Sequence, residues 1–381
     1  MRAKRSQLCH WLMSRLIVIF EIQMLNFVKN TEGKFTLNNE PFRFVGANVY
    51  ELANVSVETA KLMIADAAGA GFTVLRFWLF ENKPVAEQIK KLNEICDAVC
   101  PYGMKLIISL ADKWGYLQNY KIDDPWYESG FRKSYIPYIT SLASALADRD
   151  EIMMWELINE PESGSFDTFY NFIKEAASEF KSVNGNHLLS VGTVGGIGDK
   201  FGPVFSVFDK NNFRKLYELE TLDAVSLHDY SYDSGVFERM DMLYRFRGET
   251  EKAKRYSAIG RAVDKPFSAI DKFMMGKGKL FRFPFTLRWL WNKYNRKDLS
   301  FAGAIAKPVY IGETGFKNIP GRSRSRLLDI YLKEVFGAGA GGVMLWSFET
   351  QGGNNDGHDY GFGSGEGIGE VVKNWNERLN G

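Results

Sequence analysis

The chain has 381 residues, 45% of them hydrophobic and 25% charged, a composition that excludes a disordered or collagen-like protein. Its 48 basic and 46 acidic residues leave a net charge of +2, which gives no reason to expect nucleic acid as a partner. Three cysteines (Cys9, Cys96 and Cys100) cannot build a disulfide framework or a four-thiolate zinc site, and the four histidines show no metal-ligand spacing. A metal enzyme is therefore not expected.

In chain order, Arg2, Lys4 and Arg5 precede an apolar run from Leu8 to Phe20 with the outline of an export signal, which would place the protein outside the cell. His10 and Arg15 interrupt that run, and no small-x-small cleavage site follows it. It is also shorter than the roughly 20 residues needed to span a bilayer. Residues 1–26 thus read as a signal- or anchor-like segment, a helix packed on the domain, or a non-native start with Met13 and Met24 in reach.

Residues 27–381 read as a single domain, in which short β-branched runs alternate with segments of helical period. The expected strands are FRFVGANVY (42–50), TVLRFWLF (73–80), KLIISLAD (105–112) and IMMWELINEP (152–161). HLLSVGTVG (187–195), DAVSLHDYSY (223–232), KPVYIGETGF (307–316) and GGVMLWSFE (341–349) follow. Between them lie helical patterns such as VETAKLMIADAAGA, AEQIKKLNEICDAV and SRLLDIYLKEVFGAG, several ending in glycine before the next strand. Eight strands alternating with helices predict an α/β protein with a (β/α)8 TIM barrel. A doubly wound sheet competes, but no Gly-x-Gly-x-x-Gly opens a helix after a strand.

Barrels of this kind carry their active sites at the C-terminal strand ends. The polar residues there are Arg76, Asp112, Asn159, Glu160, His228, Tyr230, Glu313 and, on the last strand, Trp346. Glu160 and Glu313, at the ends of the fourth and seventh strands, make a pair of carboxylates, which is what glycoside hydrolysis needs. No Gly-x-Ser-x-Gly with a downstream Asp and His is present. The pair suffices for that reaction, so no cofactor is implied. Glu156 reads as a structural partner inside the barrel, and His187, opening the fifth strand at the stability face, as structural. Trp78, Trp114 and Trp126 read equally as sugar platforms or as packing.

Taken together, these segments resemble glycoside hydrolase family 5, within the retaining (β/α)8 clan, from about residue 27 to the end. FVKNTEGKFTLNNEPFRFVGANVYEL resembles the opening of the β-mannanase branch, a short hairpin before the first strand. TVLRFWLFEN carries the family arginine at Arg76, and WELINEP matches the Asn-Glu-Pro signature with Asn159 and Glu160. HDY supplies His228 and Tyr230, KPVYIGETG the Glu313 strand, and GGVMLWSFE Trp346. The resemblance implies Glu160 as acid/base and Glu313 as nucleophile. Such a pair needs about 5–5.5 Å between carboxyls, an acid with a raised pKa, and an ionised nucleophile held here by Arg76 and Tyr230. It further implies Asn159 at the sugar 2-hydroxyl, His228 on the sugar or orienting the acid, and Trp346 under the sugar ring. Trp114 is included among the substrate-binding residues.

The branch acts on β-1,4-linked mannans, so a mannan-type polysaccharide or oligosaccharide is the expected partner. A β-1,4-glucan and a glycolipid are the alternatives, with a catalytically inactive carbohydrate-binding barrel as the remote one. The chain departs from the branch after the third strand, where Ala111-Asp112-Lys113-Trp114 replaces an Asn-Asn-Trp-like segment, and in the glycine-rich final loop, where His358 could approach a terminal sugar. A second oddity is the stretch from about 237 to 298, with sixteen basic and seven acidic residues and the aromatic run KLFRFPFTLRWLWNKY. It reads as a docked helical insertion, a lid on the cleft, or a surface for membrane contact.

Overall fold

The computed structural model describes residues 26–114, 122–195, 210–230, 249–259, 295–316, 323–349, 360–363 and 367–381, together with Ala262 and Asn318. A three-stranded antiparallel sheet comes first: β1 (Lys29–Thr31), β2 (Lys34–Leu37) and β3 (Glu40–Pro41). Eight parallel strands follow: β4 (Phe44–Asn48), β5 (Val74–Trp78), β6 (Lys105–Ser109), β7 (Ile152–Asn159), β8 (Leu188–Gly192), β9 (Val225–His228), β10 (Val309–Thr314) and β11 (Gly342–Leu345). They hydrogen-bond in the order β8-β7-β6-β5-β4-β11-β10-β9, each pair parallel. These are the eight runs expected from the sequence, each shortened at its ends, and they form a (β/α)8 TIM barrel.

The helices that cover it are α1 (Val57–Gly69), α2 (Val85–Val99), α3 (Asp124–Glu128), α4 (Tyr135–Ala145), α5 (Phe166–Val183), α6 (Lys210–Tyr217), α7 (Arg296–Ala304), α8 (Arg324–Gly337) and α9 (Ile368–Asn380). Their starts are chemically marked. Ser56, Ser165 and Ser323 each accept a hydrogen bond from a first-turn amide of α1, α5 and α8, satisfying a donor that the helix leaves unpaired.

Two apolar layers result from the two faces of the strands. Leu75, Phe77, Leu106, Ile108, Trp155 and Leu157 pack outward with the helices. Phe44, Val74, Ile107, Met154, Tyr310 and Met344 fill the barrel's lower interior as a second cluster. The β1–β3 hairpin plugs that end, because Phe35 lies 5.7 Å from the Phe44 ring and 6.2 Å from Tyr310. His187 also sits at this end. Its Nδ1 accepts from Trp155 Nε1 at 2.9 Å, its Nε2 lies 2.9 Å from the Arg149 carbonyl, and burial pushes its pKa down to about 4.

The last seam, β8 to β9, is stitched differently from the others. His228 N donates to Thr193 O and Asp223 N to Leu189 O, both at 2.8 Å. Between these, the hydroxyl of Tyr217 enters the seam, donating to Val191 O at 2.6 Å and accepting from Ser226 N at 3.2 Å. A side chain thus supplies the rung that the ladder omits.

Most of the 237–298 stretch, including the aromatic run, lies outside the described residues, as do residues 1–25 and His358. Within it, residues 250–259 are helical, and Asn295 and Asp298 are buried at the start of α7. Among the described residues no helix is long and apolar enough to cross a membrane.

Tyr217→Phe leaves Val191 O and Ser226 N without their buried partner. It should lower unfolding free energy by about 1–3 kcal/mol in a denaturant titration. Stability equal to wild type would mean that the seam does not depend on this hydroxyl.

Candidate active site

The period of two along each strand decides what faces the upper barrel. Two residues beyond the apolar layer come Arg76, Ser109, Glu156, Ser190 and Ser226, all fully buried. An arginine there must be satisfied internally, and it is. Arg76 Nε and Nη2 donate to Glu156 Oε2 at 2.9 and 2.6 Å, and Nη2 also to Asn159 Oδ1 at 2.7 Å. Nη1 donates to Asn48 Oδ1 and to Glu313 Oε1, both at 2.9 Å. Five N–H groups therefore meet five acceptor contacts. The guanidinium lies 4.2 Å from the Trp78 ring centre. Glu156 in turn accepts from the Tyr310 hydroxyl at 2.5 Å, in keeping with the structural role expected for it.

Glu313 and Glu160 do not follow simple alternation. The register between β9 and β10 shifts between Ile311 and Glu313, which sets Glu313 beside His228. Such irregularities re-aim a side chain. Space is provided by Gly312, where a Cβ would lie 2.5 Å from Ser226 Oγ and 3.0 Å from His228 Nε2. The register of β7 on β8 shifts likewise before Asn159, and Glu160 has a φ of 43°, its amide donating to Gly192 O at 2.7 Å.

The outcome is a compact acidic pair. Glu313 Oε2 accepts from the Tyr230 hydroxyl at 3.0 Å, while its Oε1 is held by Arg76. Glu160 Oε1 lies 2.8 Å from His228 Nδ1, and its Oε2 accepts from Trp114 Nε1 at 2.8 Å. One oxygen of each carboxylate and a His228 nitrogen all lie within 4.8 Å of one another. That spacing would suit a cation, but the Arg76 guanidinium already occupies Glu313 Oε1 and would repel one.

Trp346 follows β11, partly buried, its ring edge-on to Trp78 at 5.4 Å and 6.1 Å from Tyr50. The structure thus brings Arg76, Asn159, Glu160, His228, Tyr230, Glu313, Trp346 and Trp114 to one end of the barrel. Trp78 and Trp126 are not open platforms. Trp78 is fully buried under Arg76, and Trp126 is packed among Tyr127, Phe131, Tyr135 and Phe172.

Two residues of the site were not assigned a role from sequence. Asn48 accepts from Arg76, and its position two residues beyond Gly46 on the inward face of β4 was the available signal. Asp112 was noticed only as a strand-end residue. It is buried, and its Oδ1 accepts from Asn159 Nδ2 at 3.1 Å and from Trp114 N at 3.3 Å.

The electrostatics correct one expectation. The acid was expected to have a raised pKa and the nucleophile to be held ionised. Instead, burial raises Glu160 but is outweighed by hydrogen bonding and charge from His228, leaving it at about 2. Burial raises Glu313, with His228 and Arg76 opposing it and Glu160 adding to it. His228 is raised despite burial, because Glu313 and Glu160 stabilise its cation. Both shifts favour a Glu160 carboxylate paired with a His228 imidazolium.

The chain is similar to known proteins in sequence and fold. Mannan endo-1,4-beta-mannosidase 1 of Solanum lycopersicum is 28% identical over 277 residues, covering 60% of this chain and 69% of its own. The endo-beta-1,4-mannanase from Thermotoga petrophila has the same fold, with a TM-score of 0.65 at 19% identity over 90% of this chain and 78% of its own. Thermotoga maritima Cel5A, solved in complex with mannotriose, gives a TM-score of 0.54 at 14% identity over 87% of this chain and 97% of its own. The family model described as Cellulase (glycosyl hydrolase family 5) matches residues 35–331, so the chain belongs to glycosyl hydrolase family 5.

Proposed function

We propose that this glycoside hydrolase cleaves β-1,4-mannosidic bonds by double displacement with retention, Glu313 being the nucleophile and Glu160 the acid/base. The observation that carries the mechanism is the proximity of the two carboxylates, with oxygens within 4.8 Å. A retaining pair stands about 5–5.5 Å apart, whereas an inverting pair leaves about 6.5–9.5 Å for a water. The mannan substrate is supported by the relatives, whose names describe mannan-cleaving enzymes.

Proton supply supports this division of roles. Glu313 is held by Arg76, which does not give up a proton, and by a Tyr230 hydroxyl whose pKa is pushed well above the ordinary phenol value, first by burial and then by Glu313. It remains a carboxylate able to attack the anomeric carbon. Glu160 faces a protonated imidazole, and its side chain is 16% exposed against 7% for Glu313, so it is also the group that solvent reaches. Transfer of the shared proton along the 2.8 Å contact gives neutral His228 and an acidic Glu160. That exchange becomes easier as a bound sugar expels water, since a dry site disfavours separated charges.

Glu160 then protonates the departing glycosidic oxygen while Glu313 forms the glycosyl–enzyme ester. In the second half Glu160 takes a proton from water, which attacks the anomeric carbon and releases Glu313. Arg76 and Tyr230 receive the negative charge that returns to Glu313. Asn159, with its Oδ1 fixed by Arg76 and one amide hydrogen on Asp112, offers its second amide hydrogen to the sugar 2-hydroxyl. Trp346 supplies an aromatic face for the ring.

A β-1,4-glucan is the second reading, favoured by the family model's description as a cellulase. Product analysis on β-1,4-mannan and on cellulose separates the two. Mixed manno-oligosaccharides, absent with Glu313→Ala, are the expected result, and turnover of cellulose alone would replace the first reading by the second. Glu160→Gln should retain binding and lose about 10²–10⁴-fold in kcat on unactivated substrate; a kcat near wild type would remove Glu160 from its role. His228→Gln removes a cation that lowers Glu313, so the acidic limb of kcat/KM should move to higher pH. An unmoved limb would show that His228 is neutral in the working enzyme.

A further inference from the structure

Asp112 occupies a position from which both neighbours of Glu160 are held. Its Oδ1 accepts from the Asn159 amide at 3.1 Å and from the backbone N of Trp114 at 3.3 Å, and its Oδ2 lies 3.4 Å from the Tyr50 hydroxyl. Asn159 precedes Glu160 in the chain and is pinned on its other side by Arg76. The Trp114 indole donates to Glu160 itself. One carboxyl therefore fixes the amide that faces the sugar and the indole that holds the acid.

We propose that Asp112 is a third acidic group of this site, a positioning residue whose ionisation raises the proton affinity of the Glu160–His228 pair and extends activity to higher pH. The inference rests on the reading of Glu160 as acid/base. It is carried by geometry: a carboxyl that is 1% exposed and accepts both from Asn159, the acid's neighbour in the chain, and from Trp114 N, whose indole donates to the acid.

The charged neighbours that act on Asp112 are Glu160 and Glu313. Lys113 is adjacent, but it is paired with Glu162 and lies 4.7 Å from the Trp114 ring centre. Tyr50 approaches from the loop after β4 and Asn159 from the end of β7, Glu160 follows Asn159, and Glu313 is on β10; the cations Arg76, on β5, and His228, on β9, bind those two carboxylates rather than Asp112. Burial, with Glu160 and Glu313 as repelling neighbours, raises the pKa of Asp112 to about 7, against its hydrogen bonds from Asn159 and Trp114. Below that pH the group is neutral; above it, it is an anion. Repulsion is mutual, so an ionised Asp112 makes the shared proton harder to remove. An amide at this position could keep accepting from Asn159 and Trp114, but it would stay neutral at all pH.

The test compares wild type, Asp112→Asn and Asp112→Ala. With only four histidines, ring-nitrogen NMR titration can follow His228 without any substrate. In Asp112→Asn the His228 midpoint and the alkaline limb of kcat/KM should both fall by about one pH unit. Asp112→Ala, which also frees Asn159 and Trp114, should lose about 10²-fold in kcat at its optimum. A His228 midpoint unchanged in Asp112→Asn overturns the proposal even if Asp112→Ala fails to fold. Should wild type hydrolyse no β-glycan, the functional reading fails, while the substrate-free titration still decides the role of Asp112.

Discussion

A guanidinium enclosed in a barrel is stable only if every donor is met, and Arg76 is the constraint on which the rest of the site depends. Moving such a cation out of water costs several kcal/mol even after relaxation, so partners must supply both charge and geometry. Glu156 supplies the first charge from the neighbouring wall, and the side-chain oxygens of Asn48 and Asn159 supply neutral acceptors. Glu313 is the fifth contact, and its side chain is 7% exposed where that of Arg76 is fully buried. The buried ion pair thus has a structural half, with Glu156, and a chemical half, with Glu313. Removing Arg76 would leave two carboxylates without a counter-charge and would damage the fold and the chemistry together.

Once Arg76 is paired, the charges above it are left unbalanced. Arg76 and a protonated His228 face Glu156, Glu160 and Glu313. Burial raises Glu313 and pushes Asp112 to about 7, with neighbouring carboxylates adding to it, while Glu313 and Glu160 raise His228 against burial. The site behaves as a coupled set holding fewer protons than it has places for them. Expecting a raised pKa for Glu160 treats that carboxyl alone. In the assembled site His228 lowers Glu160 across one hydrogen bond, and Glu160 in turn raises His228.

Much of this was legible in the sequence. The eight β-branched runs are the eight strands, because a parallel barrel strand is buried on both faces and reads as a short apolar block. Strand ends also identified Arg76, Asn159, Glu160, His228, Tyr230, Glu313 and Trp346, since polar side chains are rare in those blocks. Other features were not legible. Trp78 and Trp126 carry the same indole as Trp114, and only three-dimensional packing separates a buried ring from one that donates to Glu160. Asp112 was ambiguous because its role comes from residues distant in sequence, Tyr50 and Asn159. The rung supplied by Tyr217 has no local signature, for it depends on where the end of α6 meets β8 and β9.

Regular alternation builds the apolar floor and the polar layer that holds Arg76, but both carboxylates of the proposed reacting pair stand where alternation fails. Glu313 follows a register shift, and Glu160 follows another with a positive φ. A strict strand would turn one of each neighbouring pair, Gly312–Glu313 or Asn159–Glu160, toward the helices. The shifts let adjacent residues serve the cleft together: Gly312 by making room for His228, and Asn159 by linking Arg76 to Asp112 while Glu160 meets Trp114 and His228. A carboxylate separation below 5 Å is difficult to reach from ideal parallel strands whose side chains alternate inward and outward. Local irregularity at two strand ends, stabilised by the saturated arginine beneath them, makes it reachable.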